Sequence, residues 1–139
     1  ISWKGGNNMQ VIIPVENRNG MLFNHRRVSR DQKVSERILA YCQEKELWMN
    51  AYSAKLFENN PQVRVSETFL EQKDAICFVE DQDIAPYLPE IDTIILFRWN
   101  RDYPADFFFA VDLSEWNLIH QEEFAGKSHE KITMEVYKR

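Results

Sequence analysis

The feature that most constrains this chain is the order of its short apolar runs and what separates them. "MQVIIPV" (Met9 to Val15) is closed by the turn signal "ENRNG", "DAICFVE" ends in acidic residues, and "DTIILFRW" is apolar throughout its first half. Runs of about four to eight apolar, β-branched residues bounded by turn formers read as strands buried on both faces, as inside a parallel sheet. Between the first two runs, Val34, Ile38, Leu39 and Cys42 recur at helical spacing, which predicts a helix from about Arg30 to Lys45. Ser29 followed by Gln32 fits a capping box at its start.

The remaining segments follow the same logic. "ELWMNAYS" reads as a second buried strand, and "SAKLFENN" as a short helix ended by Asn59, Asn60 and Pro61. "QVRVS" alternates like a strand, and "DIAPYLPEI" is a short helical segment limited by proline. "ADFFFAVDL", "WNLIHQEEF" and "EKITMEVYKR" read as three closing strands, although Ile132 and Val136 in the last also sit one helical turn apart. Residues 16–28 read as an irregular loop. Helices alternating with strands, then strands alone, predict an α/β domain: a mostly parallel central sheet with flanking helices, then an antiparallel hairpin.

Composition sets the remaining bounds. A chain of 139 residues with 44% hydrophobic and 13% aromatic residues supports one packed core, so residues 9–139 read as a single domain. The first eight residues, "ISWKGGNN", lack an apolar core and read as an appended remnant outside the fold. A net charge of −5 argues against nucleic acid as a bulk electrostatic partner. Cys42 and Cys77 carry no metal-type spacing and read as buried thiols of a reducing compartment, hence a cytoplasmic protein. No apolar run approaches the roughly 18 residues of a membrane span.

Three stretches, taken together, resemble the dihydrofolate reductase family over nearly all of Met9 to Arg139. "MQVIIPVENRNGMLF" is similar to its first strand and mobile substrate loop. "LPEIDTIILFRWNRDYPADFFFAVDLSEW" is similar to the strand, acidic-aromatic turn and Trp that follow its cofactor loop. "EEFAGKSHEKITMEVYKR", with Ser128 and His129 in its loop, is similar to its closing hairpin. The resemblance implies an NAD(P)H-dependent reductase of a pterin- or folate-like heterocycle. It places the pocket carboxylate at Asp31, where an ionised Asp would accept two N–H donors of the ring in a bidentate contact. It leaves Ser53 as the remnant of the cofactor contact. The other reading of Asp31 is a helix-start residue complementing the macrodipole.

The departures bear on NADPH. Where the family sets a glycine-rich turn against the pyrophosphate, this chain has Glu80, Asp81 and Asp83. Carboxylates repel phosphate and side chains block close backbone approach, so the sequence argues against ordinary NADPH binding. The basic stretch "FNHRRVSRDQ" lies at the lip of the implied cleft. Asn24, Arg26, Arg27 and Arg30 read as binding an anionic tail of a small ligand, with Arg26, Arg30, Lys33 and Arg37 sharing a helical face; the alternative is a solvated face paired with the acidic segment 67–92. In "FRWNRDYPAD" the Arg and Asp neighbours are expected to pair with each other, with Trp99 and Tyr103 as packing. Two further functions stay open. One is a non-catalytic ligand- or partner-binding domain on the same fold. The other is a small nucleotide-processing enzyme using His25 or His129, with His120 structural.

Overall fold

The computed structural model describes residues 8–58 and 60–139. Most of the "ISWKGGNN" segment and the helix-ending Asn59 therefore lie outside the described residues. In chain order the elements are β1 (Met9–Val15), β2 (Gly20–Phe23), β3 (Arg26–Arg27), α1 (Gln32–Cys42), β4 (Leu47–Met49), α2 (Ala51–Ala54), β5 (Val63–Val65), β6 (Ile76–Phe78), β7 (Ile91–Arg98), β8 (Phe107–Phe108), β9 (Asn117–Phe124) and β10 (Ile132–Lys138). Short 3-10 turns cover Lys55–Phe57, Phe69–Glu71 and Ala85–Glu90.

A seven-stranded sheet in the order β5-β4-β6-β1-β7-β10-β9 forms the body of the molecule. β5, β4, β6, β1 and β7 are mutually parallel; β10 runs antiparallel to β7, and β9 antiparallel to β10. The central strands are those whose sequences are apolar on both faces. Along β1, Val11, Ile13 and Val15 enter one core with Ile94 and Leu96, while Ile12 enters the other with Ile95 and Phe97. This second core is where α1 buries Val34, Ile38 and Cys42, which is why the helical spacing was readable.

Several boundaries differ from the sequence reading. Asp31, in extended conformation, caps α1, so the helix starts at Gln32 and the Ser29–Gln32 capping box does not form. "ELWMNAYS" is a strand only through Met49, because Asn50 caps α2 by accepting from Ser53 N at 3.0 Å. Residues 16–28 are not an irregular loop. β2 and β3 form a hairpin turned by Asn24 and His25 at φ 53° and 65°, the paired left-handed conformation of a tight hairpin. β2 also pairs with β8, giving a three-stranded antiparallel second sheet.

The turn entering that sheet has its own anchor. Glu16 is fully buried and accepts from Arg18 N at 2.8 Å and Gly20 N at 2.7 Å. A Cβ on Gly20 would meet Ala105 Cβ at 2.3 Å, so glycine is required there by close approach. Because five strands are parallel, their carboxyl ends share one edge of the sheet, where ligands of open α/β folds bind. Glu16, Asn50, Glu80 and Trp99 follow those ends in sequence.

Candidate functional site

The N-terminus of α1 and the β9–β10 loop meet on one carboxylate. Asp31 Oδ1 accepts from Lys33 N at 2.9 Å and Lys127 N at 2.9 Å. Its Oδ2 accepts from Ser128 N at 2.8 Å, Ser128 Oγ at 3.1 Å and His129 Nδ1 at 2.9 Å. Both side chains are buried, Asp31 at 0% and His129 at 3% exposure. The loop comes this close because Gly126 has no Cβ: one added there would sit 2.6 Å from Asp31 Oδ2 and 2.7 Å from Ile132 Cδ1. Burial by itself would raise the Asp31 pKa. The N–H groups of Lys127 and Ser128, with those of His129 and Lys33, outweigh it and hold the carboxyl far below the usual range.

An ionised Asp31 fixes the imidazole. Oδ2 can only accept, so Nδ1 of His129 carries its proton, and in the neutral ring Nε2 keeps a lone pair. Ser29 Oγ lies 3.0 Å and Tyr103 Oη 3.1 Å from Nε2, and Ser29 Oγ donates to Tyr103 Oη at 3.2 Å. Trp99 stacks on the imidazole at 4.8 Å between ring centres and 28° between planes. Its indole is buried at 2% exposure, and Nε1–H has no hydrogen-bond acceptor among the described residues. Arg101 donates to Tyr103 Oη at 3.3 Å and to Ser128 O at 3.0 Å.

Several spaces adjoin this network, among them one of about 440 Å³ lined by Trp99, Asn100, Arg101, Glu123, Glu130 and Lys131. An open cleft of about 450 Å³ is lined by the cations Arg30 and Lys127, the carboxylates Asp31, Glu36 and Glu58, and the apolar Leu39, Leu56 and Phe57, with polar neighbours. A small cavity of about 10 Å³ is bordered by Ser29, Arg30, Asp31, Ser35, Leu56 and Trp99, together with Glu80 and apolar neighbours. Arg30 is exposed and makes no hydrogen bond or ion pair with the described residues, so its guanidinium is available at the cleft.

A second polar cluster forms after β6. Glu80, at 2% exposure, accepts from Arg27 Nε at 2.8 Å and Nη2 at 3.1 Å, and from Ser53 Oγ at 2.8 Å. Arg27 also lies over the Tyr52 ring at 4.3 Å. Burial works against its charge, but the hydrogen bonds and charge of Glu80 prevail and raise its pKa. Beside it, Asn50 Nδ2 donates to Asp81 Oδ1 at 2.9 Å. Glu80 and Asp81 are thus bound by the chain's own donors.

The residues singled out in the sequence separate accordingly. Asp31 and Arg30 share the cleft; Arg27 and Ser53 meet on Glu80; Asn24 and Arg26 are exposed on the β2–β3 hairpin, where Asn24 N donates to Asp106 Oδ2 at 3.0 Å. Arg26, Arg30, Lys33 and Arg37 do not share a helical face, since α1 begins only at Gln32. The expected Arg–Asp pairs of "FRWNRDYPAD" do not form: Arg98 pairs with Glu135 at 2.8 Å, and Asp102 accepts from Asn17 at 2.9 Å. Trp99 and Tyr103 pack in the second core as expected, Trp99 also stacking on His129, and His120 is exposed beside Glu122. The Ser29–His129 contact was not visible, because the capping pattern gave Ser29 another role and the partners stand 100 positions apart. Among the described residues no group of three or more His, Cys, Asp or Glu could hold a metal ion.

No family model matches the chain, and no curated protein matches it. Solved structures do match, 250 chains in all. Among them is the dihydrofolate reductase from Enterococcus faecalis complexed with NADP(H) and RAB-propyl, with a TM-score of 0.67 and 11% identity over 94% of this chain and 95% of that one. The fold is therefore dihydrofolate-reductase-like: a mixed, mostly parallel sheet with a C-terminal antiparallel hairpin. Among the described residues no helix is long and apolar enough to cross a membrane.

Proposed function

We propose that this dihydrofolate-reductase-like chain binds a small ligand bearing an anionic group in the cleft at the start of α1, without a dinucleotide, and that reductase chemistry is lost. The observation that carries the reading is the cluster after β6. The Enterococcus faecalis neighbour is complexed with NADP(H). In this chain the turn that would have to approach a pyrophosphate carries Glu80 and Asp81, and Glu80 takes up both the Arg27 guanidinium and the Ser53 hydroxyl. The donors that could grip a phosphate are already bound to a carboxylate, and a phosphate brought close would face two negative charges. These residues do not fit a dinucleotide.

Asp31 supports the same reading. A carboxylate that holds a heterocycle needs free lone pairs facing the pocket, yet both oxygens of Asp31 are engaged by protein donors. Its role in this reading is to position His129 and the β9–β10 loop. Recognition then falls to Arg30, which has no partner among the described residues, with Lys127 as the second cation and Leu56 and Phe57 offering apolar contact; Glu36 and Glu58, also on the lining, limit the ligand to one whose anionic group lies at Arg30. Asn24 and Arg26 do not line the cleft, and Ser53 and Arg27 serve Glu80.

Thermal unfolding in the presence of folic acid, a heterocycle with a carboxylate tail, and separately of NADPH tests the proposal. A ligand of the native state at a hundred times its Kd stabilises by about 2.7 kcal/mol. The expected outcome is a concentration-dependent rise in Tm with folic acid that Arg30→Ala removes, and none with NADPH. Stabilisation by NADPH, or a folic acid response unchanged in Arg30→Ala, would contradict it.

A further inference from the structure

We propose that Ser29, His129 and Asp31 form a nucleophilic triad that cleaves a short-chain carboxylic ester or thioester at the small cavity beside Trp99. The proposal rests on the reading of the adjoining cleft as a ligand site. It adds a reaction that a dihydrofolate-reductase-like fold does not imply.

The geometry satisfies the roles one by one. An activated serine needs a base within hydrogen-bond reach and a third group that orients the base. Ser29 Oγ lies 3.0 Å from His129 Nε2, and His129 Nδ1 lies 2.9 Å from Asp31 Oδ2. Asp31 is buried, ionised and fixed by backbone donors from α1 and the β9–β10 loop, so turning the imidazole would break its bond to a fixed carboxylate. Such a triad is recognised by geometry and roles, in whatever order the chain supplies them. Acyl transfer also needs a donor for the oxyanion. Trp99 borders the same cavity as Ser29, and its buried Nε1–H lacks an acceptor among the described residues. A buried N–H left unpaired destabilises the fold, a cost that a carbonyl oxygen in the cavity would remove.

The spaces set the substrate class. A cavity of about 10 Å³ admits little more than one water-sized group, such as a carbonyl oxygen. The adjoining 450 Å³ cleft has room for the leaving group, with Arg30 at its side suited to an anionic one.

In the first step Ser29 Oγ forms a bond to the carbonyl carbon while its proton passes to His129 Nε2. The tetrahedral oxyanion is held by Trp99 Nε1–H. Its collapse breaks the bond to the leaving oxygen or sulfur, which takes the proton from His129, leaving an acyl-Ser29. Water then attacks the acyl carbon and gives a proton to His129; Ser29 departs and recovers it. The sum is ester plus water to acid plus alcohol, or the thiol for a thioester, with no oxidant or reductant. Tyr103 Oη, 3.1 Å from Nε2, accepts from Ser29 Oγ at 3.2 Å and so competes with Nε2 for the serine proton at rest.

The test is labelling of the whole protein with a fluorophosphonate, read by intact mass and peptide mapping, alongside hydrolysis of p-nitrophenyl acetate. Wild type is expected to take one label on Ser29. Ser29→Ala removes it, His129→Gln slows it by about a hundredfold or more, and Tyr103→Phe speeds it by leaving the serine proton to Nε2. No label on Ser29 in folded wild type, or a label on Tyr103 or a lysine instead, overturns the triad. Failure of the ligand reading is seen separately: Ser29 labelling without any folic acid response leaves the triad standing and removes only the anionic-ligand class.

Discussion

At the scale of single residues, Asp31 carries more of the structure than its place at a helix start suggests. It joins α1 to a loop that follows 96 to 98 positions later, through Lys127, Ser128 and His129. Its folded pKa lies below the unfolded value of about 3.9. The stabilisation it confers is therefore fully present above about pH 4 and is lost as the pH falls toward the folded value. Asp31→Asn places an amide among groups that need an acceptor and is expected to cost about 2–4 kcal/mol near neutrality. Its stability should also fall less steeply than that of wild type on acidification below pH 4. Urea unfolding from pH 3 to 7 measures both; parallel wild-type and variant curves would contradict the role assigned to Asp31.

At the scale of elements, what was legible in the sequence follows from how locally each pattern is determined. β1, β7 and α1 were readable because burial on both faces, or on one helical stripe, is written into neighbouring residues such as Ile12, Ile13, Val34 and Ile38. β2, β3 and β8 were not, since Gly20 pairs with Phe108 and no local period announces a pairing across so much chain. The site divides in the same way. Asp31 and the absence of glycine at Glu80 and Asp81 could be read by position, but the partners that define their roles, His129 and Arg27, come from other elements. The Arg27–Glu80 pair gives this a measurable form. Glu80→Ala leaves a largely buried guanidinium unpaired and is expected to cost about 3–5 kcal/mol. Arg27→Met combined with Glu80→Leu should recover much of that loss, as a double-mutant cycle would register; additive losses would show that the two side chains are not coupled.

At the scale of the whole molecule, the sheet order and the closing hairpin place this chain on the dihydrofolate-reductase-like scaffold, while its polar clusters turn inward. Glu80 and Asp81 bind donors of β3 and of the region around α2; Asp31 binds donors of the β9–β10 loop. Both clusters lie beyond the carboxyl ends of the parallel strands, so the edge that serves as a ligand crevice in open α/β folds is partly filled by the protein itself. Space remains in the cleft beside Arg30, in the small cavity beside Trp99 and in the cleft lined by Trp99, Asn100 and Arg101. The most direct measurement is a titration of the wild-type protein with NADPH, and separately NADH, following tryptophan fluorescence and corrected for nucleotide absorption. We expect no saturable quenching up to millimolar concentration, because Glu80 and Asp81 already take up the donors of Arg27, Ser53 and Asn50 and present negative charge to a phosphate. Saturable quenching at micromolar NADPH would contradict the account and return the chain to the dinucleotide-dependent reductases that its fold resembles.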